Sequence, residues 1–178
     1  MTKSHQTNRR RFLKTGALAA VAAPTIIPSS ALGQAGKPAP SNRITVGLIG
    51  CGGRGVGVMN SFLNEPSAQV IATCDPYETH HRGQARGRAF GCQPAAEMVG
   101  KKYDSKPCDT YDDYRELCAR NDLDVVIVAT PDHWHAVQAL EGLRNGKDIY
   151  CEKPVTHFFA EGQALYREVA KRGAIFQT

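Results

Sequence analysis

The 178-residue chain has no apolar run long enough to cross a bilayer, which takes about 20 residues. Its longest stretch, Gly16 to Ile27, is broken by Pro24. Surplus charge is also absent from most of the chain. The net charge of +5 traces to Lys3, Arg9, Arg10, Arg11 and Lys14, which have no acid among them, so residues 34–178 hold 17 bases against 17 acids. A neutral body lacks the clustered basic face that nucleic-acid binding uses, so no nucleic-acid partner is expected. Metal-ligand spacing is missing as well. Cys92, Cys108 and Cys118 form no ligand motif, and His133 and His135 have no third ligand at convincing spacing, so no metal is expected. The six cysteines do not read as a disulfide framework. Cys51, Cys74 and Cys151 fall at predicted strand ends, where a small buried side chain fits, and only a Cys92–Cys108 bridge stays open. The length suits one domain and leaves little sequence for a second.

Residues 1–33 read as an export signal. A basic start leads into the apolar stretch, then into small residues suited to cleavage near Ala31-Leu32-Gly33 or Gly33-Gln34-Ala35. Asn8-Arg9-Arg10-Arg11-Phe12-Leu13-Lys14 resembles a twin-arginine signal, with Asn where Ser or Thr is commoner. The resemblance implies a folded protein handed to the twin-arginine export machinery and carried to the periplasm with its nucleotide already bound. A disordered basic tail or an uncleaved anchor is the alternative. Residues 34–42, rich in Gly, Pro, Ala and Ser, read as a flexible linker.

From Arg43 onward, short apolar runs alternate with amphipathic ones. Strands are expected at 44–49, 69–74, 124–129, 148–151 and 174–177, and helices at 56–63, 112–120, 135–145 and 157–172. Residues 78–90 read as a polar helix weakened by Gly83 and Gly87. Residues 92–108, with Pro94, Gly100 and Pro107, read as an irregular insertion. The alternation predicts an α/β fold, a Rossmann-type doubly wound parallel sheet, over residues 43–178.

The first strand runs into Gly50-Cys51-Gly52-Gly53-Arg54-Gly55, which fits the G-x-G-x-x-G dinucleotide fingerprint opening a helix. Gly50 permits the tight turn, Gly52 a close backbone approach to the pyrophosphate, and Gly55 close packing of helix on strand. Asp75 stands 20 residues after Gly55, where an acid takes the adenosine ribose hydroxyls and repels a 2′-phosphate. NAD is therefore expected over NADP. An ordinary turn acid before Pro76 is the competing reading of Asp75.

Further on, Thr130-Pro131-Asp132-His133-Trp134-His135 follows the strongest strand, and Glu152-Lys153-Pro154 follows the next. With the glycine turn, these three ordered motifs make residues 43–178 resemble the glucose–fructose oxidoreductase, inositol dehydrogenase and rhizopine-catabolism (Gfo/Idh/MocA) family. The resemblance places Lys153 beside the nicotinamide and the substrate hydroxyl, as the catalytic acid–base or hydrogen-bonding group. It also sets Thr130, Pro131, His135, Glu152 and Pro154 around the cofactor with Gly53 and Arg54 of the turn. Trp134 is as suited to packing or capping its helix as to touching a sugar, and His80 and His81 read as solvated.

Family members carry a second α/β domain that binds substrate and aids homo-oligomerisation. The resemblance therefore implies a chain truncated at Thr178, with the substrate domain missing and the segment inactive alone. The expected function is the NAD-binding half of an exported oxidoreductase that moves hydride between a sugar, polyol or related secondary alcohol and nicotinamide. One alternative is a glycosidase that uses NAD transiently through oxidation, elimination and re-reduction. The other is a non-catalytic nucleotide-binding module.

Overall fold

The computed structural model describes residues 38–81 and 87–178. The export signal read at residues 1–33 lies outside them, as do residues 34–37 of the linker. The linker's last residues are not extended but form a short 3-10 turn, Pro40–Asn42.

Six strands make one parallel sheet: β1 (Ile44–Ile49), β2 (Ala68–Cys74), β3 (Asp109–Tyr111), β4 (Val125–Val128), β5 (Asp148–Cys151) and β6 (Phe176–Gln177). Their order is β3-β2-β1-β4-β5-β6, so the chain reverses direction across the sheet between β1 and β4. Five helices connect them: α1 (Gly53–Leu63), α2 (Cys92–Tyr103), α3 (Tyr114–Cys118), α4 (Asp132–Arg144) and α5 (Phe159–Arg172).

Central strands covered on both faces read as continuous Val, Ile and Leu runs rather than alternating ones. Val46, Leu48 and Ile127 pack beneath α1 and α2 with Val56, Met59, Val70 and Val99. Ile49, Val126 and Val128 point the other way and pack against Leu117, Ala139, Leu143 and Leu165 of α3, α4 and α5. The doubly wound fold expected from the alternation is the fold observed.

Two segments depart from expectation. The helix expected over 78–90 is not formed at 78–81 or 87–90, where His80 and Phe90 instead exchange backbone hydrogen bonds of 2.7 and 2.8 Å as an antiparallel bridge. Phe90 is the only large apolar side chain in that run and is buried, so no apolar stripe existed to hold a helix on the core. Residues 82–86 lie outside the described part.

Conversely, the expected insertion contains the twelve-residue α2. Pro94 falls in its first turn, where a missing N–H costs no helical bond. Cys92, Ala95, Ala96, Val99 and Gly100 recur at helical spacing and are buried. Gly100 lets the chain beyond Asp104 return close to the helix, since a Cβ there would meet Pro107 N at 2.9 Å. The same return path makes β3, a three-residue edge strand that sequence reading did not anticipate. It shortens the helix expected at 112–120 to α3, capped by the Asp113 carboxylate accepting from Arg115 N at 2.9 Å.

All six cysteines are free, so Cys92 and Cys108 are not bridged. Burial pushes the Cys151 thiol up to about 12 and the Cys108 thiol up to about 11.

Candidate dinucleotide site

A cavity of about 1020 Å³ opens at the carboxyl ends of the strands, where the strand order reverses between β1 and β4. Crevices at such switch points are where open α/β sheets bind ligands. Gly50, Gly52, Gly53 and Arg54 form its floor, with Asp75, Thr130 and Pro131 on its walls.

Gly50 adopts φ +91°, and a Cβ there would lie 2.7 Å from the Ala129 carbonyl carbon. A Cβ on Gly55 would overlap the Gly50 carbonyl oxygen, so α1 and β1 meet only because both positions are glycine. At Gly52 a Cβ would meet nothing within 4 Å, which leaves the backbone of the turn open to the cavity. No side chain caps α1, so its first amides are available at an end that carries partial positive charge. That combination favours an anion such as a pyrophosphate.

Asp75, 7% exposed, accepts from Cys51 N at 2.9 Å through Oδ2 and from Tyr77 N at 3.0 Å through Oδ1. The second bond is the Asx-type turn of the competing reading, while the first ties β2 to the glycine turn. Each oxygen keeps a further lone pair, and Asp75 still lines the cavity. These features fit a dinucleotide.

The other expected site residues sit behind or beside the cavity lining. Gly55 lies under Gly50. His135, 2% exposed, places Nδ1 2.7 Å from the Pro154 carbonyl oxygen and Nε2 2.8 Å from that of Thr130. It thus spans the turns that follow β4 and β5. Thr130 is fixed again by its hydroxyl donating to Gln138 Oε1 at 2.7 Å. Glu152 is 6% exposed and bonds Arg54 Nη2 at 2.6 Å, which holds its carboxyl below the usual range. Lys153 and Pro154 follow in that turn, joined by a cis peptide bond, and Lys153 is exposed.

The far wall was not foreseen. His80 comes from the segment misread as a helix and Tyr77 from the residue before it, while Asp112 and Asp113 come from the turn between β3 and α3 and Tyr114 to Glu116 from the start of α3. His80 was read as solvated but stands half-buried at the cavity, its ring 5.6 Å from that of Tyr77. Asp112, Asp113 and Glu116 add carboxylates to the wall that holds Asp75. Arg115 donates to both oxygens of Asp113, at 3.1 and 3.0 Å.

A family model for an oxidoreductase family with an NAD-binding Rossmann fold (Gfo/Idh/MocA) matches residues 44–178. The chain belongs to that family. As a Gfo/Idh/MocA domain it is similar to a glycosyl hydrolase family 109 protein of Shewanella putrefaciens, 31% identical over 85% of this chain and 34% of the relative. It is also similar to an alpha-N-acetylgalactosaminidase of Shewanella oneidensis, 34% identical over 85% of this chain and 34% of that protein. The domain thus spans about one third of the length of these curated relatives. A solved 3-ketoreductase from Actinomadura kijaniata, in complex with TDP-benzene and NADP, matches at TM-score 0.59 and 25% identity over 76% of this chain and 37% of its own.

Proposed function

We propose that this domain is the cofactor-holding part of an exported enzyme that moves hydride between a carbon of a sugar or related secondary alcohol and NAD. The observation that carries the reading is the convergence of the glycine turn, Asp75 and the Thr130–Pro131 turn on one cavity, with the Lys153 turn pinned beside it. Gly50, Gly52, Gly53 and Arg54 would receive the pyrophosphate, and Gly55 gives them their shape. Asp75 would take the ribose hydroxyls. The acidic wall around it favours NAD, because a 2′-phosphate would meet carboxylates rather than a free arginine.

Bound nicotinamide supplies a hydride acceptor. Removing hydride from a carbinol carbon also requires its hydroxyl proton to go elsewhere, and Lys153 is the group assigned to that oxygen. His135, Glu152 and Pro154 support the lysine turn. The basic leader is consistent with export through the twin-arginine machinery to the periplasm, and a homo-oligomer is expected of the complete enzyme.

A second outcome of the same chemistry is glycoside cleavage by oxidation, elimination and re-reduction. The names of the relatives at 31% and 34% identity favour it. The deciding experiment uses the complete protein that carries this domain. Net NADH formation from a free sugar supports a dehydrogenase, whereas glycoside cleavage without net NADH supports the second outcome. Lys153→Ala should abolish turnover in either case while sparing NAD binding measured by calorimetry. Retained turnover removes Lys153 from the chemistry.

A further inference from the structure

Of the histidines among the described residues, His135 alone is buried, in the first turn of α4. Both of its ring nitrogens are occupied, and both partners are main-chain carbonyls: Pro154 O at 2.7 Å from Nδ1 and Thr130 O at 2.8 Å from Nε2. A carbonyl oxygen only accepts, whereas a neutral imidazole has one N–H and one bare lone pair. A neutral ring would therefore serve one turn and set lone pair against lone pair at the other. No backbone N–H among the described residues donates to either carbonyl, so no main-chain donor takes the place of the missing proton. A doubly protonated ring donates to both, and the two distances match the range of about 2.7–2.9 Å for charge-assisted bonds.

Burial disfavours a charge, so the surroundings have to admit one. The start of α4 adds partial positive charge, offset in the same turn by Asp132, with His133 beside it facing solvent. The elements packed against α4 are β4, β5, α3 and α5. β4 has no ionisable side chain. The turn after β5 brings the buried Glu152, bonded to Arg54, and the exposed Lys153. α3 brings Arg115 and Glu116, and α5 brings Glu161, with His157 just before it. Burial keeps the Cys151 and Cys118 thiols and the Tyr114 hydroxyl neutral. At this end of the sheet Asp132, Glu116, Glu152 and Glu161 thus outnumber Arg54, Arg115 and Lys153, which leaves place for one more positive charge.

We propose that His135 is an imidazolium that donates one N–H to each turn, and that in this form it is the positioning residue for Lys153. The proposal rests on the assignment of Lys153 to the substrate hydroxyl and adds the protonation state on which the placement of that lysine depends. Pro154 follows Lys153 directly, so a bare Nδ1 would repel the carbonyl next to the lysine. A bare Nε2 would repel Thr130, and the lysine turn would lose its tie to the cavity wall.

Long-range 1H–15N spectra of the purified full chain, labelled at histidine, read the ring state without reference to activity. The His135 signals are those missing from His135→Gln or, should that variant fail to fold, those that persist when each other histidine is replaced in turn. Two protonated nitrogens at neutral pH are expected. One protonated and one bare nitrogen would overturn the proposal.

The positioning role is read in the complete protein. A glutamine donates from a single nitrogen and cannot span both carbonyls, so His135→Gln should lower kcat roughly 10- to 100-fold, the order that a misplaced reacting group costs, with KM and calorimetric NAD affinity little changed. Wherever the ring signals titrate, wild-type kcat should fall with the same midpoint, and His135→Gln should lack that limb. An unchanged kcat in His135→Gln, or a wild-type kcat indifferent to the ring's titration, would overturn the positioning role. A Lys153→Ala enzyme that keeps its turnover would instead remove the lysine assignment and leave the charge on His135 standing.

Discussion

Where the glycine turn passes beside β4, the cavity takes its shape from backbone and from missing Cβ atoms. Across from it, after β2 and β3, the shape comes from side chains: a carboxylate holding two amides and a tyrosine under an arginine. The backbone side is a steric arrangement at Gly50 and Gly55, where an added Cβ would come within 3 Å of neighbouring main chain. The side-chain side is adjustable, because its groups can be exchanged one at a time with the fold retained. On the proposed reading, phosphates, alike in every dinucleotide, would meet the rigid side, and the group that distinguishes one cofactor from another would meet the adjustable one.

The largest effect is expected on the backbone side. Gly55→Ala forces a methyl group into the Gly50 carbonyl, and the turn must open or α1 must shift. We expect a loss of about 3 kcal/mol or more, read as a lower denaturant midpoint. An unchanged midpoint would mean that this side is no stiffer than the other.

Asp75→Ala sharpens the comparison, because this residue serves both sides. Removing its carboxylate strands the Cys51 and Tyr77 amides at a cost of about 2 kcal/mol, and NAD binding should weaken as well. Lost stability with unchanged affinity would reduce Asp75 to a turn acid.

Arg54→Ala should have the smallest effect, and a pH-dependent one. Arg54 is 69% exposed, so its bond to Glu152 is open to screening by water and salt. It nevertheless holds the Glu152 carboxyl below its usual range. A depressed carboxyl contributes stability above its unfolded value, about 4.3, and loses it as pH falls through the lower folded value. The thermal midpoints of wild type and Arg54→Ala should therefore differ at neutral pH and converge on acidification below about 4. Parallel midpoints across that range would show that the pair carries no linkage.

The same division governs how much of the molecule could be read in advance. Val46, Leu48, Val126 and Ile127 announce buried parallel strands because both faces of the sheet are covered, and the glycine turn is legible because its geometry admits only glycine. α2 escaped notice because its buried stripe is built from Ala95, Ala96 and Gly100, small residues that register weakly as apolar, behind a proline that suggested a break. β3 is three residues of Asp, Thr and Tyr paired to a single neighbour, too short and polar to signal a strand. Tyr77, His80 and Tyr114 went unseen as parts of the site, since their place depends on where the chain returns rather than on local pattern.

His135 shows the limit most plainly. The family resemblance marked it as part of the site, but the partner that defines its position, the Pro154 carbonyl, lies 19 residues away in sequence. One buried ring between two carbonyls makes the turns after β4 and β5 a single mechanical unit. Motion of either carries the other, so the backbone from which Lys153 projects stays in register with the cavity wall even though the lysine itself reaches into solvent.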